Sequence, residues 1–428
     1  MHILADVLFY MFVSFGMITT VHLGLYIGGA NIYDIWQYRR QARQAGTRRR
    51  KRLPGVSVVI PAYNEEVSIE RCLESVRMTK YPHLKVMVHN DISTDSTADI
   101  IRAYQQKYPK FDLRLVNRRH RAGKAGGVNY LIQKYAKTEL VMTLDADCIL
   151  RPDSIRKAVE YFDDPKVVGV AANVRLLDKR SVLGILQQFE HLIGYRSKKF
   201  YTIANCEFIV GGVASTYRRD ILDKVGYYGT DTQTEDIGLS MKIVALGNKE
   251  HRLVYGSDVV AMAEGAHTFK MLLKQRYRWK MGSLQNLLIH ARLLFNPSRK
   301  YSPSLTFYRL PMAFFSEIML LMQPLIVGFI FYLSFHYHTF GLFLGAYLTI
   351  TLYVLLTIWP DEHSTIARKL QKSLYAPFLY FVFYIMDTVQ VIAIVRCLLN
   401  PKMVARQTKE QQAAWTPPTR SGQQASFF

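Results

Sequence analysis

Two aspartates one residue apart, Asp145 and Asp147, close the apolar run Leu140-Val141-Met142-Thr143-Leu144. Paired carboxylates at the end of a strand form a hard-oxygen grip of the kind that holds Mg2+ or Mn2+. An ion held there can neutralise a departing diphosphate. Taken alone the pattern is weak, since most such acids are solvated turn residues. Two further clusters lie downstream, Thr234-Glu235-Asp236 and Gln275-Arg276-Tyr277-Arg278-Trp279. Beside them, the aspartate pair reads as one part of a larger site.

The elements that must position these groups show as alternation along the chain. Residues 56–60 form an apolar strand pattern that runs into Pro61-Ala62-Tyr63-Asn64-Glu65-Glu66, and Ile69, Leu73 and Val76 follow at helical spacing. Further strands are expected at 84–88, 111–116 and 140–144, separated by helices at 97–108 and 127–135. This alternation predicts an α/β fold with a parallel, doubly wound sheet. Such sheets bind ligands beyond the carboxyl ends of their strands. Asn64-Glu65, Asn90-Asp91 and Asp145-Ala146-Asp147 each follow a strand run, so the three loops are expected to share one site.

Taken in order, several strings resemble the membrane-embedded, processive family 2 glycosyltransferases. They are Val58-Val59-Ile60-Pro61-Ala62-Tyr63-Asn64-Glu65, Asn90-Asp91 with Ser93-Thr94-Asp95, Gly123-Lys124-Ala125-Gly126 with Asn129, and the three acidic and basic clusters. That group includes the cellulose, chitin, hyaluronan and poly-N-acetylglucosamine synthases, and the likeness covers about 56–295. It implies a GT-A domain (Rossmann-like, doubly wound) that transfers a sugar from a UDP-sugar with inversion, using Mg2+ or Mn2+. By the same resemblance Ala62, Tyr63 and Glu65 hold uridine, Asp91 faces the nucleoside, and Lys124 approaches the donor. Asp145 and Asp147 match the metal pair, Asp147 as the direct ligand. Gln275 and Arg278 face the diphosphate, where a guanidinium fork suits phosphate oxygens. Asp236 matches the general base, supported by Glu235, while Trp279, Phe208 and Gly211 match the acceptor side. The chain departs from the family pattern at Asn90, where an acid is usual, and at Ile92, where glycine is usual. Simpler structural readings exist for several of these residues. Thr234 or Asp236 could cap a helix, Lys124 could be a solvated loop lysine, and Lys274, Arg276 and Lys280 could mark a basic helix at a membrane surface. The motif residues are therefore expected to face inward and the remaining bases to face lipid.

The chain has 428 residues, of which 50% are hydrophobic, and a formal net charge of +22. The placement of the charge argues against nucleic-acid binding. Arg39, Arg40, Arg43, Arg48, Arg49, Arg50, Lys51 and Arg52 follow an apolar stretch at 7–27 that has no charged residue. This pattern predicts a span with its basic flank on the cytoplasmic side and the N-terminus outside. A cleaved signal peptide fits less well, because the stretch lacks a basic leader and a small-residue cleavage site. Further spans are expected at 312–335, 340–359 and 373–399. Four crossings would put Lys402, Arg406, Lys409 and Arg420 outside, against the positive-inside tendency, so one segment is either re-entrant or interfacial, or another crossing is hidden. Four scattered cysteines and no H-x-x-x-H pair give neither a disulfide framework nor a zinc site.

The expected organisation is an anchor at 1–38, a basic linker at 39–53, a GT-A domain at 54–280, interfacial helices at 281–311, a transmembrane region at 312–400 and a tail at 401–428. The expected partners are a UDP-sugar donor, a polysaccharide or lipid acceptor and membrane lipids. T-E-D with Q-R-Y-R-W looks closest to the poly-β-1,6-N-acetylglucosamine synthases, which makes UDP-N-acetylglucosamine the expected donor. The resemblance thus implies elongation of a β-linked polymer coupled to its translocation. The alternative is a non-processive enzyme that makes a glycolipid or lipid-linked sugar.

Overall fold

The computed structural model describes residues 2–47, 53–118, 120–177, 181–336, 338 and 340–405. Arg48–Arg52 of the basic linker and the tail from 406 onward lie outside the described residues. The helix α1 (His2–Thr47) is followed by β1 (Val56–Ala62), α2 (Ile69–Met78), β2 (Leu84–Asn90), α3 (Thr97–Lys107), β3 (Leu113–Asn117), α4 (Gly123–Lys134) and β4 (Leu140–Thr143). Next come β5 (Ile149–Leu150), α5 (Ser154–Tyr161), β6 (Val167–Leu176), α6 (Val182–Ile203), β7 (Ser215–Arg218), α7 (Arg219–Val225), α8 (Glu235–Gly247), β8 (Arg252–Ala263) and α9 (Phe269–Ile289). The C-terminal part contains α10 (Leu310–His336), α11 (Phe340–Ile358), α12 (Ile366–Leu398) and α13 (Pro401–Ala405).

The strands form one sheet in the order β3-β2-β1-β4-β7-β6-β8-β5. The first four run parallel, as the alternation predicts. The expectation of a parallel sheet stops there, because β7 runs antiparallel to both β4 and β6, and β5 antiparallel to β8. The sheet is therefore mixed: strands and helices alternate through its second half as well, but β5 and β7 run against the direction of their neighbours. Both faces are covered. Val58 and Ile60 of β1 pack with Ile69 and Leu73 of α2, while Val59 between them packs with Leu131 of α4 and Leu239 of α8. A period of two divides the apolar run between two cores.

Among the described residues, three helical stretches are long and apolar enough to cross a membrane, Phe9–Ala42, Ser304–His336 and Phe381–Leu398, and Phe343–Ile358 is a shorter apolar helix. The expected spans lie within α1, α10, α11 and α12. The C-terminal half of α1 is held by the α/β domain. The buried Tyr33 hydroxyl donates to the Tyr255 carbonyl at 2.7 Å, and Asp34 pairs with Arg196 at 3.3 Å. The expected boundary between 280 and 281 falls inside a single helix. The segment after Trp279 continues α9, and its Met281, Gly282, Gln285, Asn286 and Leu287 are buried against the domain.

Candidate active site

The loops after β1 and β2 are stitched to each other. Asn64 Oδ1 accepts from the Thr94 amide at 2.8 Å, the Asn64 amide donates to Ser93 Oγ at 3.0 Å, and the Glu65 amide donates to Thr97 Oγ1 at 2.8 Å. Asn90, at the family's acidic position, donates to Asn117 Oδ1 at 2.8 Å and accepts from the Ser93 amide at 3.1 Å. It acts as a tie between loops. Ile92 has φ 63°, a left-handed conformation that a β-branched side chain adopts only at a cost of about 1–3 kcal/mol. A glycine would carry no such cost.

Asp91 is nearly buried and spends both carboxylate oxygens on the turn into α4. Oδ1 accepts from the Ala122 amide at 2.7 Å and Oδ2 from the Gly123 amide at 3.1 Å. Gly123 itself has φ 66°, where glycine is needed. Arg121, which the sequence reading passed over, lies 3.8 Å from the centre of the Tyr63 ring and 3.7 Å from Asp91. Ala62, Tyr63, Glu65 and Asp91 thus converge at one edge of the sheet, and the turn they hold delivers Lys124.

Lys124 is the hub of the site. Its ammonium lies 2.6 Å from Asp145 Oδ1 and 3.6 Å from Glu235 Oε1. A Cβ at Gly212 would sit 3.0 Å from that nitrogen and 3.8 Å from Asp236 Oδ2, and one at Gly211 would sit 3.9 Å from Asp236. Pro61, Thr143 and Tyr228 line the same cavity as Lys124, Asp145, Gly212 and Glu235. Burial opposes the Lys124 charge, but Asp145, Glu235 and Asp236 outweigh it and raise its pKa. Asp236 is shifted upward as well, by burial first and then by Glu235, against the pull of Lys124 and Arg278. It heads α8 without a side-chain capping bond from Thr234, so the capping alternative does not account for this cluster.

The donor atoms of Asp145, Asp147 and Cys148 lie within 4.8 Å of one another. Burial, then Asp147 and Asp145, push the Cys148 thiol well up, and it donates to Asp147 Oδ1 at 3.2 Å. The group therefore offers two carboxylates and no thiolate, a donor set that fits a hard divalent cation rather than a soft one. Arg71, also passed over, braces this corner. It donates to Glu264 at 2.7 Å and to the Asp147 carbonyl at 3.4 Å.

α8 and α9 are locked together. The Asn286 amide nitrogen reaches Thr232 Oγ1 (3.2 Å), the Thr234 carbonyl (3.1 Å) and Thr234 Oγ1 (3.2 Å), and Gln285 accepts from the Gln233 amide at 2.8 Å. Gly282 makes this approach possible, since a Cβ there would lie 2.3 Å from Thr234 Oγ1. The lock sets the half-buried Arg278 where its charge acts on Asp236. Gln275 Oε1 is buried with no hydrogen-bond partner among the described residues. Trp279 is 36% exposed, with the Arg276 guanidinium 4.2 Å from its ring centre.

Two expectations are corrected here. Of the bases expected to face lipid, only Lys274 is exposed. Arg276 is buried and paired with Glu190, and Lys280 holds both oxygens of Glu317 at 2.8 Å. Phe208 is 2% exposed, packed in the core with Arg309 at 4.7 Å from its ring centre. It supports the loop from beneath; Gly211, three residues on, is the part that borders Asp236.

Residues 54–282 match the family model described as glycosyltransferase-like family 2. The chain belongs to that family. This glycosyltransferase is 32% identical over 241 residues to the poly-beta-1,6-N-acetyl-D-glucosamine synthase of Staphylococcus epidermidis, covering 56% of this chain and 57% of that protein. It is 34% identical over 239 residues to the synthase of the same name from Staphylococcus aureus strain COL, covering 55% and 56%. The chain thus matches little more than half the length of these relatives. Among solved structures, the mannosyltransferase PcManGT from Pyrobaculum calidifontis, in complex with GDP-Man and Mn2+, superposes with a TM-score of 0.55 at 20% identity, over 89% of this chain and 98% of that one. That likeness establishes the GT-A-type fold.

Proposed function

We propose that the protein transfers N-acetylglucosamine from UDP-N-acetylglucosamine to a growing β-linked polysaccharide, and that this is coupled to passage across the membrane. The catalytic domain then lies on the cytoplasmic side of the plasma membrane, where the nucleotide sugar is supplied. The observation that carries the reading is the convergence of Lys124, Asp145, Glu235 and Asp236 within a few ångströms, beside two glycines that let an acceptor sugar approach.

In this reading Ala62, Tyr63, Glu65 and Asp91 form the nucleoside wall, and Asp236 takes the proton of the attacking acceptor hydroxyl. Its raised pKa makes it a stronger base than an ordinary carboxylate. Lys124 and Arg278 stabilise the departing diphosphate from two sides. Asp145 and Asp147 would hold Mg2+ or Mn2+, which when bound neutralises diphosphate charge. Trp279 and Gly211 face the acceptor, with Gln275 beside the diphosphate. The name shared by the relatives supports the sugar and the linkage.

Incubation of the purified full chain with different UDP-sugars, with and without Mg2+ or Mn2+, tests the reading. UDP release from UDP-N-acetylglucosamine, dependent on the metal and accompanied by long products, is expected. Release from another UDP-sugar alone, or products limited to one or two sugars on lipid, would overturn it.

A further inference from the structure

The helix α12 has the composition of a membrane span, yet the catalytic domain holds it at both ends. Just before its start, Arg175 at the end of β6 donates to both oxygens of Asp361 at 2.8 and 2.7 Å. His363 Nε2 lies 2.9 Å from the Ser257 carbonyl of β8. Further along, Met386 and Val389 are buried with Leu186 of α6 and Leu272 of α9. Near its end the Arg396 guanidinium lies 5.8 Å from the centre of the Tyr277 ring, again on α9. α9 is no lipid-embedded helix. It carries Lys270, Lys274, Arg276, Arg278 and Lys280, and Asn286 pins it to the turn before α8. A helix crossing the bilayer would leave the domain behind at one end; α12 does not.

The depths along α10 agree. Lys280 of α9 grips Glu317, whereas Asp387 of α12 accepts from Gln323, six residues further on. Six helical residues rise about 9 Å, which matches the roughly 8–10 Å between two packed helix layers. α12 therefore lies one layer outward from α9. Its outer face is an apolar stripe of exposed Leu370, Leu374, Phe378, Ile385 and Ile392, with Phe381 beside Phe343 and Tyr347 of α11. Arg368, Lys369 and Lys372 stand near one end and Arg396 and Lys402 near the other, suited to anionic headgroups.

We propose that α12 does not cross the membrane, but lies in its plane with the outer stripe in the lipid interface of the leaflet facing the catalytic domain. The proposal rests on reading α1, α10 and α11 as the crossings. Three crossings place the tail on the side of the catalytic domain, so that Lys402, Arg406, Lys409 and Arg420 join the arginines of 39–52. The conflict with the positive-inside tendency disappears. Hydropathy alone misses this arrangement, because one side of α12 faces lipid while the other packs against apolar residues of α6 and α9.

Gly341→Cys and Ser421→Cys, made singly in the full chain, test the proposal with a membrane-impermeant maleimide; the four native cysteines are buried. In intact cells Gly341→Cys is expected to label, while Ser421→Cys loses labelling and regains it on permeabilisation. Nitroxides placed singly at Phe378, Ile385 and Ile392 in the reconstituted protein should report one immersion depth, whereas a crossing helix would spread them over about 21 Å. Labelling of Ser421→Cys in intact cells, or a depth gradient of that size, would overturn the proposal. If Gly341→Cys labels only after permeabilisation, the crossings themselves fail, and the proposal with them.

Discussion

The two walls of the site are built in different ways. The donor wall is made of neighbouring loops whose polar side chains are spent on one another's backbones: Asn64 on Thr94, Asn90 on Ser93, Asp91 on the turn into α4. The catalytic wall consists of two helices joined by Asn286 across 52 residues to Thr234, and it continues into the membrane helices through Lys280 and Glu317. Its acids stand close to each other, and Asp236 is raised by burial and by Glu235. Local stitching makes a wall that holds its shape whether or not the rest moves. The lock between α8 and α9 makes a wall whose chemistry depends on where the membrane-bound helices sit.

The sharpest way to break this comparison is Asp236→Asn. If Asp236 is the base proposed above, its loss should lower turnover by about 10²–10⁴, while the UDP affinity measured by calorimetry stays close to that of the parent. An equal loss of affinity would mean that the walls are not separable. The next largest effect is expected from Asn286→Leu, which keeps the side chain's size but unties α8 from α9. A displacement of about 1 Å at the reacting centre costs on the order of 10² in rate. Steady-state kinetics should show that loss with UDP binding again spared. Loss of the amide's bonds to Thr232 and Thr234 should also lower stability by about 1–3 kcal/mol.

A subtler test uses pH. Because the Asp236 pKa is raised, the acid limb of kcat/KM should lie above the ordinary carboxylate range, with activity lost as pH falls through it. Glu235→Gln removes the like charge that follows burial as the cause of the shift. The limb should then move to lower pH. A limb that stays in place would assign it to another group.

The two walls also differed in how far the sequence revealed them. Asn64, Asp91, Lys124 and the Asp145–Asp147 pair each sit just after an apolar run or inside a glycine-rich turn, so local pattern was enough to find them. The four parallel strands were legible for the same reason. The catalytic wall depends on pairs that no local pattern records. Asn286 meets Thr234 across 52 residues, and Arg276 meets Glu190 across 86. A basic residue on an amphipathic helix reads as lipid-facing until its acid is found on another element, which is why Arg276 and Lys280 were misjudged. Phe208 was misjudged for a related reason. A motif fixes a loop's place in the chain, but it does not say which of its side chains turn into the core. The antiparallel entry of β7 likewise depends on its pairing with β4 and β6, which no local pattern records.

The smallest effect belongs to the donor wall and tests its self-sufficiency. Ile92 sits at φ 63° and is 38% exposed, so its side chain gains little from burial to offset the conformational strain. Ile92→Gly removes a strain of about 1–3 kcal/mol and returns roughly 0.5–1 kcal/mol through the greater freedom of glycine in the unfolded chain. The net should be a gain of up to about 2.5 kcal/mol. For a domain of this size each kcal/mol corresponds to roughly 2–4 °C in the thermal midpoint. A higher midpoint with unchanged kcat would show that the strain in this loop is a local cost that chemistry does not use. A higher midpoint with a fall in kcat would show instead that the donor wall is coupled to the catalytic one through the turn that Asp91 holds.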